Sequence, residues 1–223
     1  MKNSTFAVIG LGVFGTAIAK KLAERGADVI AVDDDLEKVE SIAKDVMLSV
    51  QLNATNKEAL SRQGIDKVDA AVVSIGSNFE VLLLCIFQLQ AIGVKRIIAR
   101  AQGSIQRSIL AKMGVADVLS PEVEFANNIA EQLTNPGVLM CVPLPDNYEL
   151  IEVEAPSKVI GRTLADIGLR EKYNINLVTV LRKDKDGHHI YGVPNPDSVI
   201  NKEDIVLVFG KEKDINRFME VNA

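Results

Sequence analysis

The sequence predicts an α/β fold, a doubly wound parallel sheet followed by a small α+β C-terminal domain. Three observations predict it. Short apolar runs alternate with longer helical stretches over the first 134 residues, the pattern of βαβ units around a parallel sheet. The first apolar run leads directly into Gly10-Leu11-Gly12-Val13-Phe14-Gly15 and then a helical stretch. After about residue 134 the pattern changes, with breaker clusters at Asn135-Pro136-Gly137 and Pro143-Leu144-Pro145-Asp146.

In chain order, residues 6–9, 29–32, 46–50, 70–73 and 96–99 have the short apolar form of buried strands. Residues 16–24, 36–43 and 81–92 fit helices between them. Glu24-Arg25-Gly26, Arg62-Gln63-Gly64, Ala91-Ile92-Gly93 and Lys112-Met113-Gly114 each put glycine where a helix stops, a few residues before the next strand. Glycine is favoured there because the position takes φ > 0. Thr55-x-x-Glu58 and Ser77-x-x-Glu80 fit capping boxes at helix starts. Beyond the breakers, residues 149–154, 175–181, 188–192 and 205–209 read as strands, residues 163–172 as a helix, and a last helix begins at Lys211. This order suggests a partly antiparallel sheet. The expected organisation is a first domain over 1–134, a linker over 135–145 and a second domain over 146–223.

Composition narrows the function. The chain has 223 residues, 48% of them hydrophobic, enough for a substantial core. Its longest apolar run, residues 81–87, falls far short of the roughly 20 residues of a membrane span. Residues 1–6 lack the apolar region of a secretory signal. Cys85 and Cys141 read as buried free thiols of a reducing compartment. A formal net charge of −5, no basic cluster, no Trp and 4% aromatic content argue against a nucleic-acid partner.

The glycine loop carries the chemistry. A strand, G-x-G-x-x-G and a helix together form the Rossmann-type phosphate cradle. Gly10 permits the tight turn, Gly12 lets the backbone approach a pyrophosphate, and Gly15 lets helix and strand pack closely. The helix N-terminus presents free N–H groups to the anion. Asp33 ends the second strand, where a carboxylate can accept from both ribose hydroxyls and disfavours a 2′-phosphate. Asp34 follows it at the strand end, while Asp35 reads as a helix start. The next two strand ends, Asn53-Ala54-Thr55 and Ser74-Ile75-Gly76, face the same crevice. Their small and amide-bearing side chains can admit and bond an adenine edge, although Thr55 and the nearby Ser77 can equally be helix caps.

Groups for catalysis do not stand out. The two histidines, His188 and His189, fall in the second domain, and Tyr148, Tyr173 and Tyr191 are followed four residues on by Glu152, Leu177 and Asn195 rather than lysine. No G-x-S-x-G, H-E-x-x-H or Walker lysine occurs. The pattern therefore points to a nucleotide sensor. A small NAD(H)-dependent oxidoreductase and an NADH/NAD redox-sensing regulator are the rival readings.

The run from Phe6 to Gly15, together with Val32-Asp33, Asn53-Ala54-Thr55, Ser74-Ile75-Gly76-Ser77-Asn78, Arg100-Ala101-Gln102 and Pro121-Glu122, resembles the RCK (regulator of potassium conductance) family of the KtrA/TrkA type. Ile160-Gly161-Arg162-Thr163-Leu164 and Asp204-Ile205-Val206-Leu207-Val208 resemble its C-terminal lobe. The resemblance implies a cytoplasmic regulatory subunit, not an enzyme, held at the inner face of the membrane by a potassium-translocating partner. It implies self-association as a dimer and an octameric ring, and binding of ATP, ADP or NAD(H). Gly10, Leu11, Gly12, Val13, Phe14 and Gly15 would then hold phosphates, Asp33 and Asp34 the ribose edge, and Asn53, Ala54, Thr55, Ser74, Ile75 and Gly76 the base and ribose. Arg100 would lie near the phosphates. Glu122 matches a residue that helps bind a divalent cation, Mg2+ or Ca2+, at the dimer interface in some members, or else is a helix-N-terminal carboxylate. Arg170, Lys172 and Tyr173 fall where some relatives bind cyclic di-AMP, or else form a solvated helix end. Val13 departs from many ATP-sensing relatives, which carry Arg or Lys there to pair with a terminal phosphate. That departure favours NAD(H), ADP or AMP.

Overall fold

The computed structural model describes residues 4–135 and 137–223, so residues 1–3 and Pro136 of the first breaker cluster lie outside it. The chain divides into a first unit ending at Val123 and a second unit from Glu124 to Ala223.

The first unit contains β1 (Thr5–Ile9), α1 (Val13–Glu24), β2 (Asp28–Asp33), α2 (Leu36–Ile42), β3 (Leu48–Gln51), α3 (Lys57–Arg62), β4 (Ala70–Val73), α4 (Phe79–Ala91), β5 (Ile97–Arg100), α5 (Ser104–Lys112) and β6 (Asp117–Leu119). Its six strands form one parallel sheet in the order β3-β2-β1-β4-β5-β6. Strand residues alternate between two cores. Ala7 and Ile9 of β1 join one cluster with Leu82, Ile86 and Leu89 of α4, while Val8 joins Ala19 of α1 and Val39 and Ile42 of α2 in the other. Burial on both faces explains why these strands are continuously apolar rather than alternating.

The four helix-ending glycines, Gly26, Gly64, Gly93 and Gly114, all take positive φ between 76° and 85°. The capping boxes are corrected. Asn56, not Thr55, caps α3 by accepting from the Ala59 amide at 2.9 Å, and Asn78, not Ser77, caps α4 by accepting from the Val81 amide at 3.2 Å. Asn56 and Asn78 are the last residues with extended backbone before each helix, and a cap one residue later removes the Glu of each box from the required position. Asn56→Ala should therefore cost about 1 kcal/mol in chemical denaturation, and Glu58→Ala less than about 0.5 kcal/mol.

α6 (Pro121–Thr134) begins in the first unit and lies mostly in the second, which continues with β7 (Val138–Leu144), β8 (Tyr148–Glu154), α7 (Leu164–Ile167), α8 (Leu169–Tyr173), β9 (Asn176–Asp184), β10 (Gly187–Ile190), β11 (Ile205–Lys211) and α9 (Glu212–Asn222). Its sheet runs β10-β9-β11-β8-β7 and is antiparallel throughout. Two expectations change here. The segment read as a linker over 135–145 contains β7, paired along its length with β8. Pro143 is tolerated because β7 is an edge strand, where a missing N–H breaks no ladder. The helix expected over 163–172 is two short helices, broken at Gly168, whose φ of 64° is left-handed. Ile151, Val153, Val180, Val206 and Val208 pack on Ile215 and Phe218 of α9 to form this unit's core. Both cysteines are free and buried. Burial pushes the Cys85 thiol up to about 12, and burial together with Glu149 and Glu131 pushes Cys141 up to about 11.

Candidate functional site

The strand order reverses between β1 and β4, and an open α/β sheet leaves its ligand crevice at that point, outside the C-terminal strand ends. A cavity of about 620 Å3 lies there. Gly10 leaves β1 with φ 93°, and its carbonyl accepts from Ser74 Oγ, just past β4, at 2.7 Å. That bond ties together the two loops that flank the crevice. A Cβ on Gly10 would meet Ile75 N and Ser74 C at 3.0 Å. A Cβ on Gly15 would lie 1.9 Å from Gly10 O and 2.5 Å from Ser74 Oγ, so the first turn of α1 lies directly against the loop. Gly12 has open space where its Cβ would be.

The helix starts around the crevice differ in a way that suits an anion. Asp35, Asn56 and Asn78 each cap their own helix with a side-chain oxygen. α1 has Gly12 at its cap and no side-chain hydrogen bond there. The first turn of any helix has amides without intrahelical partners, and here no side chain of the cap satisfies them, which leaves them for a bound phosphate.

Asp33 ends β2 and is buried. Its Oδ2 accepts from the Leu11 amide at 2.6 Å, and its Oδ1 accepts from the Asp35 amide at 3.0 Å and from Lys38 Nζ at 3.3 Å. Burial works to raise its pKa, but the amides of Leu11 and Asp35 and the Lys38 ammonium outweigh it and hold the carboxyl below the usual range. Lys38 is shifted the opposite way. Burial would lower it, but the Asp33 hydrogen bond and the charges of Asp33, Asp35 and Asp34 hold the ammonium above its ordinary value.

The cavity brings together Gly10, Gly12, Asp33, Asp34, Asn53, Ala54, Ser74, Ile75, Gly76 and Arg100 of the expected site. Other expected residues fall outside its lining. Leu11 turns its side chain into the core and contributes its amide to Asp33. Val13 is 94% exposed at the first position of α1 and points into solvent. The Phe14 ring lies 5.8 Å from the Arg100 guanidinium. Thr55 bonds Asn53 Oδ1 through its hydroxyl at 2.8 Å and its amide at 2.9 Å, which fixes the Asn53 loop rather than facing the cavity. Sequence reasoning missed Lys38, Gln102, Leu52 and Val81, all of which line it. Lys38 had a signal: a cation in the first turn of a helix opposes the dipole, so it needs acidic partners nearby.

Arg100 ends β5 beside Gly76, where a Cβ would approach its Nη1 to 3.1 Å. Its Nη2 bonds Glu122 in the first turn of α6, while its Nε is buried with no partner among the described residues. Glu122 is thus an ion-pair partner. Among the described residues of the single chain no group of three or more His, Cys, Asp or Glu could hold a metal ion, and Glu122 is paired with Arg100. In the second unit, Arg170 bonds Asn176, Lys172 bonds the Asp166 carbonyl, and the Tyr173 hydroxyl accepts from Asn222 while its ring packs edge-on to Phe218. Each of the three has a structural partner within its own unit.

Comparison with known proteins agrees with this architecture. Residues 6–121 match the TrkA-N domain and residues 148–222 the TrkA-C domain. Ktr system potassium uptake protein C of Bacillus subtilis (strain 168) is 36% identical over 213 residues, covering 96% of this chain and 95% of that protein. Ktr system potassium uptake protein A of the same organism is 33% identical over 220 residues, covering 98% and 96%. The solved structure of a GsuK channel bound to NAD has a TM-score of 0.69 at 12% identity, a likeness of fold alone, and this chain, covered at 99%, spans 39% of it. With both domains matched in order over nearly the whole length, the chain belongs to the RCK family of the KtrA/TrkA type.

Proposed function

We propose that this chain is the nucleotide-sensing regulatory subunit of a membrane potassium-uptake system, a regulator rather than an enzyme. The single observation that carries the reading is the crevice between β1 and β4, where an uncapped α1, the open Gly12 backbone and the buried Asp33 carboxylate face one cavity. Amides of α1 take the phosphates, Asp33 takes the ribose, and the strand ends at Asn53-Ala54 and Ser74-Ile75-Gly76, with Leu52 and Val81 in the same lining, take the base. The names of its Ktr relatives support the potassium-uptake role, and the NAD-bound channel of the same fold supports a dinucleotide or its ADP half as ligand.

Val13 offers no charge to a terminal phosphate, so ADP, AMP and NAD(H) fit this loop better than ATP. Arg100 lines the cavity beside the Phe14 ring of the loop, and it is shared with Glu122. A phosphate that draws Arg100 away frees Glu122 at the start of α6, the helix that carries the chain into the second unit. A ligand can bias the partner only by binding two conformations unequally, and this exchange of partners is where the inequality arises. Self-association into a ring, a cytoplasmic position at the inner membrane face and docking on a potassium-translocating subunit complete the reading. No helix of the described residues is long and apolar enough to cross a membrane. A divalent cation at Glu122 belongs to this reading only where two copies of the chain meet, with a nucleotide phosphate and the partner supplying the other oxygens.

Calorimetry of the purified chain with ATP, ADP, AMP, NAD, NADH and cyclic di-AMP tests the proposal. Binding of ADP or NAD, with ATP no tighter, is the expected result. Failure of every adenine nucleotide to bind sinks it. Cyclic di-AMP binding that Arg170→Ala abolishes would assign the second unit a ligand of its own. Co-purification with a potassium-transport membrane subunit tests the partner.

A further inference from the structure

A carboxylate offers about four lone-pair sites, and three of those on Asp33 are taken: one by the Leu11 amide on Oδ2, two by the Asp35 amide and Lys38 on Oδ1. One site remains. Asp33 therefore cannot accept from both hydroxyls of a ribose while it holds the glycine loop and the start of α2 in place. The second hydroxyl needs another partner at the same edge of the cavity.

Lys38 stands there. It lines the same cavity, and its side chain is 44% exposed. Of its three N–H donors one goes to Asp33. The Asp35 carboxylate lies 3.7 Å away, an ion-pair distance rather than a hydrogen bond. A donor is left for the cavity. Asp33, Asp34 and Asp35 surround this single cation, so the edge stays acidic and suits a neutral hydroxyl, not a 2′-phosphate. We propose that Lys38 is a specificity-determining residue of the nucleotide site: its ammonium donates to one ribose hydroxyl while Asp33 accepts from the other. The ribose is read as a donor–acceptor pair held by the Asp33–Lys38 couple. This rests on reading the cavity as a nucleotide site and specifies how that site selects its sugar.

The test is calorimetry of the full chain with ADP, 2′-deoxy-ADP and 3′-deoxy-ADP, using the unsubstituted protein and Lys38→Met, each checked by thermal melting. ADP is the part common to ATP, ADP and NAD. In the unsubstituted protein each missing hydroxyl should cost about tenfold in affinity. Lys38→Met should lose about tenfold for ADP and nothing further when one particular hydroxyl is removed, while the other hydroxyl keeps its full cost. Unchanged ADP affinity in Lys38→Met overturns the proposal. So does an equal loss for ADP and both deoxy analogues, since Lys38 would then act only by orienting Asp33. Tighter binding of 2′-phosphorylated ADP than of ADP overturns it as well. Failure of ADP to bind the unsubstituted chain would overturn the nucleotide reading along with it, and shows itself before any variant is made.

Discussion

Gly15→Ala should destroy the glycine loop, whereas Gly12→Ala should leave it folded and unable to bind. The two substitutions add the same methyl group three residues apart, and their surroundings decide the difference. At Gly15 the new carbon would be 1.9 Å from the Gly10 carbonyl oxygen and 2.5 Å from Ser74 Oγ. The nearer obstacle is backbone, which cannot rotate aside, and moving it breaks the Ser74–Gly10 bond that joins the two loops. Such overpacking should cost about 3 kcal/mol, with nucleotide affinity lost as the cradle opens. At Gly12 the carbon meets nothing within 4 Å, and φ of −68° suits any residue. Stability should change by less than about 1 kcal/mol. The methyl group would nevertheless stand where a diphosphate approaches the backbone, so affinity should fall on the order of 100-fold, equal to about 2.7 kcal/mol. Urea denaturation and calorimetry on both variants check the pair. Equal destabilisation by the two would mean that Gly15 is not packed as described, and undiminished binding by Gly12→Ala would mean that phosphates do not sit on this loop.

The same contrast explains what the sequence could tell. The G-x-G-x-x-G loop, Asp33 and the four helix-ending glycines were legible because each needs a backbone state or residue type that few alternatives satisfy. The caps were misread by one residue because Thr55 and Asn56, or Ser77 and Asn78, are adjacent capping residues, and only the local φ and ψ decide which of the two caps the helix. β6 and β7 went unseen for a different reason. β6 is three residues long, and β7 contains a proline that argues against a strand until its edge position is known. Lys38 was missed because its role depends on three-dimensional proximity to Asp33, five residues away, across a strand end and the start of a helix. Arg100 and Glu122 came from family resemblance, but nothing in their spacing indicated that they bond each other.

Asp33→Asn should weaken both the fold and the site, with an effect that depends on pH. The carboxylate accepts from two backbone amides, of which Leu11 N is the more buried, and from Lys38. An asparagine oxygen can serve one of those amides while its NH2 group confronts the other, leaving a buried donor unpaired at about 1–3 kcal/mol. The folded-state pKa of Asp33 lies below its unfolded value of about 3.9, so folding favours the ionised form. Its contribution is therefore fully present above the unfolded pKa and is lost as pH falls through the folded pKa. Urea midpoints of the two proteins should differ from pH 5 upward and converge as pH drops below about 4. A constant difference across that range would show that Asp33 does not hold the loop as an anion. Ribose nucleotides should bind the variant roughly 10- to 100-fold more weakly at pH 7, the worth of a hydrogen bond to a charged group. The fold and the site lose together because one carboxylate serves both: the oxygen that fixes the Leu11 amide is the one with room for a ribose hydroxyl. Recognition of the sugar is thus built into the bond that shapes the phosphate cradle.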